Sequence, residues 1–289
     1  MRAPFLLLTR IAVFFALIAG SANLALAATK NTAVYYLALG DSLSVGGQPG
    51  LTGQTQPTSQ GYADDLYQIL VKKTPNLQLA KLGCIGESTY TMIYGGVCSY
   101  SLKSQLNAAV AFLEAHAGAV TLVTIDIGAN DLLPCVGGAS INLSCISAAF
   151  SSVQTYLPQI LSTLRATAPT VPIAAMNYYD PLLAEWLQGS AGQQLALQSA
   201  QLLGQFNALL GGIYGGFGVP VGDVAKAFHT SDFTSLVYVP GLGQVPLNVA
   251  LVCSWTWMCA PPPLGPNIHP NVVGYEVITY AIFVVLPHP

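Results

Sequence analysis

The chain has 289 residues, of which 53% are hydrophobic and only 7% charged, with a formal net charge of −3. Nine basic residues against twelve acidic ones, with no basic cluster, exclude a nucleic-acid partner. After the N-terminal region no apolar run reaches the roughly 18 residues of a membrane span, so the hydrophobicity belongs to a core.

Arg2 and Arg10 flank the start of an apolar run, Ile11 to Ala19, followed by small residues and Ala25-Leu26-Ala27. This is the pattern of a cleaved secretory signal peptide over 1–27, with a retained N-terminal anchor as the rival reading. The remainder, 28–289, is long enough for one large α/β domain, and no internal repeat or linker divides it. The expected location is secreted or periplasmic. Six cysteines fit an oxidising compartment. Spacing favours neighbour pairs, Cys84 with Cys98, Cys135 with Cys145 and Cys253 with Cys259. Zinc is the alternative, but no CxxC pair supports it.

Val34 to Leu39 is a short continuous apolar run, as expected for a strand covered on both faces. Tyr62, Leu66, Ile69 and Leu70 follow at helical spacing, and Leu77 to Leu82 reads as a second strand. Between them, Gly46 to Gln60 is rich in Gly, Gln and Thr and predicts a mobile loop. Leu102, Leu106, Val110 and Leu113 mark a helix, and Val120 to Ile127 is the strongest strand signal of the chain. Phe150, Val153, Leu157, Ile160 and Leu164 form a helical stripe that Pro158 should kink. Val171 to Met176 predicts a fourth strand, Leu195 to Leu210 a helix closed by Gly211 and Gly212, and Val219 to Val221 a short fifth strand. Thr230 to Gly265 reads as a long irregular excursion, and the segment from Val272 as a last helix. Alternating strands and helices predict a mostly parallel sheet with helices on both faces.

Ligands of such sheets bind outside the carboxyl ends of the strands. Ser42 follows the first strand, Gly83 and Gly86 the second, and Gly128, Asn130 and Asp131 the third. Each alone has an ordinary explanation. Ser42 could cap a helix, Gly128-Ala129-Asn130-Asp131 could be a plain turn, and His269 a loop histidine. Their joint order is more telling. Gly40-Asp41-Ser42-Leu43, Leu82 to Thr89, Gly128-Ala129-Asn130-Asp131, and His269-Pro270-Asn271 with Gly274-Tyr275 resemble, in sequence, the four motif blocks of the GDSL or SGNH hydrolases.

That resemblance implies a three-layer flavodoxin-like fold and a carboxylic ester hydrolase working through an acyl-enzyme. It implies Ser42 as nucleophile and His269 as general base, with the N–H of Ser42, the N–H of Gly86 and the side-chain amide of Asn130 as oxyanion donors. A serine hydroxyl needs an adjacent base, and preorganised donors stabilise the tetrahedral intermediate. Asp41 is expected to support the serine loop and Asp131 to order the Asn130 turn. No metal or organic cofactor is implied.

The family usually has an aspartate three residues before the histidine, where this chain has Pro266. The expected repair is a Ser-His dyad oriented by the Pro266 carbonyl, as in some relatives, with a displaced carboxylate such as Asp223 or Asp232 as the alternative. Tyr90, Tyr94, Trp255 and Trp257 are expected near the site, where they would suit an apolar acyl group. The expected substrate is a small-molecule or lipid ester, met by a monomer that contacts lipid surfaces transiently. Glycan deacetylation, phospholipase activity, and an inactive binding or cell-envelope protein on the same fold are the competing readings.

Overall fold

The sheet is built from the apolar runs read above. The computed structural model describes residues 33–138 and 140–287, so the expected leader 1–27 and His288 lie outside the described residues. The strands are β1 (Val34–Gly40), β2 (Leu77–Lys81), β3 (Val120–Asp126), β4 (Ile173–Met176) and β5 (Val221–Gly222). All neighbours are parallel, in the order β2-β1-β3-β4-β5. This is the flavodoxin-like order, with the chain reversing direction across the sheet between β1 and β3. Tyr36, Leu37, Ala38 and Leu39 of β1 are fully buried, which is why their run is continuous rather than alternating.

The helices are α1 (Tyr62–Leu70), α2 (Thr89–Tyr94), α3 (Gln105–Ala115), α4 (Leu143–Thr167), α5 (Ser190–Gly216), α6 (Leu247–Trp255) and α7 (Val272–Phe283). α1 packs with α7 on one side, while α4 packs with α2, α3 and α5 on the other, giving three layers. One expectation at a helix fails for a packing reason, at the end of α5. α4 is continuous through Pro158, with Val153, Leu157, Ile160 and Leu161 burying its apolar face on both sides of the proline. The hydrogen bond it forgoes belongs to the exposed carbonyl side at Gln154. α5 runs through Gly211 and Gly212 because Leu210 and Tyr214, one turn apart, are both buried on the same face.

Two segments expected as loops contain regular structure. Gly46 to Gln60 contains an antiparallel pair, Gln48–Pro49 with Thr55–Gln56, and Thr58 Oγ1 donates to the Gly46 carbonyl at 2.6 Å. Thr230 to Gly265 contains the hairpin Leu236–Val239 with Gly243–Pro246, and then α6. The three neighbour disulfides, Cys84–Cys98, Cys135–Cys145 and Cys253–Cys259, are present. Among the described residues no helix is long and apolar enough to cross a membrane.

Candidate active site

β1 and β3 end side by side, with Gly40 in register with Asp126. Gly40 has φ +129°, and a Cβ there would stand 2.0 Å from the Asp126 carbonyl oxygen, so only glycine lets the two strand ends close up. The chain then turns through Asp41 and Ser42. Asp41 supports this turn as expected: its Oδ1 accepts from the Leu43 N–H at 2.9 Å, and its carbonyl accepts from the Ser44 hydroxyl at 2.7 Å. Ser42 caps no helix; it sits on the turn with its side chain in a cavity.

His269 arrives from the opposite end of the chain. It lies on the extended segment Asn267–Pro270, which pairs antiparallel with Thr256–Trp257. Its Nε2 is 2.8 Å from Ser42 Oγ, and both residues are buried. On the other side of the ring, Nδ1 is 2.7 Å from Asn267 Oδ1, which also accepts the backbone N–H of His269 at 3.0 Å. That second bond fixes the amide's orientation, because only its oxygen can accept. The amide nitrogen donates to Thr55 Oγ1 at 3.0 Å. Nδ1 therefore carries the ring proton, and Nε2 is left to accept from Ser42. Burial pushes the imidazole down to about 4, so the ring is neutral at neutral pH.

Asn267 corrects both expected repairs. The acceptor on His269 is neither the Pro266 carbonyl nor Asp223, but a side-chain amide one residue past the proline. Asp223 caps its own helical turn and holds the Asn177 amide at 2.8 Å, while exposed Asp232 closes a local turn through Thr234 and Ser235. In an extended segment side chains repeat every second residue, so positions 267 and 269 share a face. That periodicity was the available signal.

Gly86 and Asn130 follow β2 and β3. Gly86 has φ +84°, a left-handed conformation that glycine adopts without strain. No acceptor among the described residues takes the N–H of Ser42 or Gly86. Asn130 Nδ2 donates one hydrogen to the Glu87 carbonyl at 2.9 Å, which ties the two loops together and leaves its second hydrogen for another acceptor. Asp131 does more than order its own turn: it accepts from Thr89 N–H at 2.9 Å, Thr89 Oγ1 at 2.7 Å and Ser152 Oγ at 3.1 Å. It thereby locks the Gly86 segment to the Asn130 segment.

Ser42, Asn130 and His269 open on a cavity of about 120 Å³. Val136 and Ile141, from the segment closed by Cys135–Cys145, and Ile146 just past it line one wall, and Leu202, Leu203 and Phe206 of α5 line another. The expected aromatics are elsewhere. Tyr90 and Tyr94 are exposed and meet Tyr156 edge-on, Trp255 packs edge-on against Phe228, and Trp257 donates to Gln48. None of them lines the cavity.

A serine hydroxyl hydrogen-bonded to a neutral, oriented imidazole at the mouth of an apolar cavity is an arrangement in which the imidazole can take the hydroxyl proton. The sequence matches the GDSL-like Lipase/Acylhydrolase family over residues 38–277. The chain belongs to that family, and its class is carboxylic ester hydrolase. Among solved structures, an extracellular lipase from Streptomyces rimosus shares the fold at 20% identity with a TM-score of 0.57, covering 88% of this chain and 100% of its own. Phospholipase A1 from Streptomyces albidoflavus does so at 18% identity and a TM-score of 0.53, with 88% and 100% covered. No match was found among curated protein sequences.

Proposed function

We propose that the protein is a secreted serine esterase or lipase in which Ser42 attacks an ester with an apolar acyl group and His269 is the general base. The observation that carries this reading is the 2.8 Å contact between Ser42 Oγ and His269 Nε2 at the mouth of the apolar cavity. As Ser42 Oγ bonds to the ester carbon, its proton passes to Nε2, and the carbonyl oxygen becomes an oxyanion. The N–H groups of Ser42 and Gly86 and the second Nδ2 hydrogen of Asn130 receive that charge; one such donor is typically worth about 3–4 kcal/mol. Collapse expels the alcohol, which takes the proton from His269. Water then repeats the sequence on the acyl-enzyme and releases the acid.

The cavity walls suit a hydrocarbon chain, which supports an esterase or lipase over glycan deacetylation. Three disulfides and the leader pattern in the sequence support secretion, and the protein is expected to act as a monomer with transient lipid contact. Hydrolysis of p-nitrophenyl esters of increasing chain length tests the proposal. Turnover that rises with acyl length and disappears in Ser42→Ala supports it. A folded protein that cleaves none of the series would instead be a binding protein on this fold.

A further inference from the structure

β1 and β2 part company where the site begins. Their parallel pairing runs as far as the Leu82 N–H, which donates to the Ala38 carbonyl at 2.9 Å. Evenly spaced parallel bonding would next pair the Gly40 N–H with the Leu82 carbonyl. Side chains take both groups instead. The Gly40 N–H donates to Gln105 Oε1 at 2.7 Å, and the Leu82 carbonyl accepts from the Tyr100 hydroxyl at 2.6 Å. Gln105 is the first residue of α3 and is fully buried, a costly place for an amide unless its polar atoms are bonded.

Only the amide oxygen can accept from an N–H, so the Gly40 bond fixes how the side chain is turned. Nε2 then faces three acceptors: the Gly40 carbonyl at 2.9 Å, Glu87 Oε2 at 3.0 Å and the Tyr100 hydroxyl at 3.2 Å. One amide thus holds both main-chain groups of Gly40, which precedes the Ser42 turn, and the side chain of Glu87, which follows Gly86. Glu87 is buried too, and its main-chain carbonyl is the acceptor for Asn130 Nδ2. The Ser42 N–H, the Gly86 N–H and the Asn130 amide belong to three separate loops. The bond from Gln105 to Glu87 joins the first of these loops to the other two. Neither Gln105 nor Glu87 lines the cavity, so these bonds bear on the oxyanion donors and not on the acyl walls.

We propose that Gln105 is a positioning residue: through Gly40 and Glu87 it sets the spacing between the Ser42 turn and the Gly86 loop, so that their two N–H groups meet the same oxygen. The inference rests on the reading of Ser42 as nucleophile. Donors stabilise an oxyanion only from the place where the charge forms. A shift of one loop against the other therefore weakens the transition state and leaves substrate binding alone.

The test begins with Gln105→Met, which keeps the length of the side chain and removes every bond. On p-nitrophenyl esters its kcat is expected to fall about tenfold, by the same factor at every acyl length, with KM within about twofold of the wild type. Glu87→Met breaks only the bridge and is expected to lower kcat about fivefold. Glu87→Gln, whose amide oxygen can accept the same hydrogen, should stay within about twofold of the wild type. The two Glu87 variants decide the matter if Gln105→Met does not fold. A purely structural role would lower the midpoint of thermal unfolding and leave kcat of the folded enzyme unchanged. That result, a loss carried by KM, or equal kcat in Glu87→Met and Glu87→Gln would overturn the proposal while the wild type still cleaves esters. A wild type that cleaves no ester would sink the hydrolase reading, and this inference with it.

Discussion

Replacing Asn267 by alanine probes how His269 is held. The substitution deletes the acceptor 2.7 Å from Nδ1, the acceptor 3.0 Å from the His269 N–H and the amide donor to Thr55 at 3.0 Å, all partly buried. The two bonds to His269, neutral and of about 1–1.5 kcal/mol each, amount to about 2–3 kcal/mol in the orientation and charging of the ring. At 1.36 kcal/mol per decade this is roughly a 30- to 150-fold fall in kcat, with KM for a short ester little changed. Asn267→Asp should act in the opposite sense on the base: a carboxylate at that position favours the imidazolium and raises His269 from about 4 by about one to three units. Steady-state kinetics from acid to mildly alkaline pH read both effects. If Asn267→Ala retained activity within about threefold of the wild type, another group, such as Thr55 Oγ1 at 3.4 Å from Nδ1, would be orienting the ring and the assignment to Asn267 would fail.

Asn130→Ala is expected to lower kcat on p-nitrophenyl esters by about 10²–10³ with a small change in KM, since it removes an oxyanion donor rather than an acyl contact. A loss confined to KM would place Asn130 in substrate binding. Asp180 is 3% exposed and bonded to Ser199 Oγ at 2.7 Å, and burial raises it from 3.8 to about 6. The folded carboxyl holds its proton more tightly than the unfolded one, so this contribution to stability is complete below 3.8 and is lost as pH rises through about 6. The wild type should therefore lose about 3 kcal/mol relative to Asp180→Asn between those limits, measured by urea unfolding across pH; parallel stability curves would refute the buried charge. Opening the Cys135–Cys145 bridge by a double serine substitution should cost about 3 kcal/mol by loop entropy. It should also raise KM more for long acyl esters than for acetate, because Val136 and Ile141 lie within the closed loop.

β1, β3 and β4 were legible because each is a largely buried parallel strand, whose apolar run carries a signal that local turns cannot imitate. Val34 to Gly40 and Val120 to Asp126 both lie within one residue of where the sequence puts them. The errors fall where tertiary packing overrides a local breaker. Gly211 and Gly212 end no helix because Tyr214 is buried beyond them. The Gly46 to Gln60 segment has the composition of a flexible loop, yet it carries a short antiparallel pair, and Thr55 is bonded to Asn267 across more than two hundred residues of chain. In the site, Ser42, Gly86, Asn130 and His269 stand in motifs of fixed spacing. Asn267 was passed over because attention fell three residues upstream of the histidine, whereas the extended backbone puts the useful side chain two residues upstream. The close approach of Asp126 to Gly40 could not be read at all, since it comes from the strand pairing.

The central claim is that a hydroxyl at position 42 is made nucleophilic by the imidazole at 269. Reaction of the intact protein with a fluorophosphonate, followed by peptide mass spectrometry, tests it most directly. The account predicts one adduct, on Ser42, formed rapidly in the wild type and lost in His269→Ala although that variant keeps its fold. Labelling of a different serine, or undiminished labelling of Ser42 without the histidine, would contradict it.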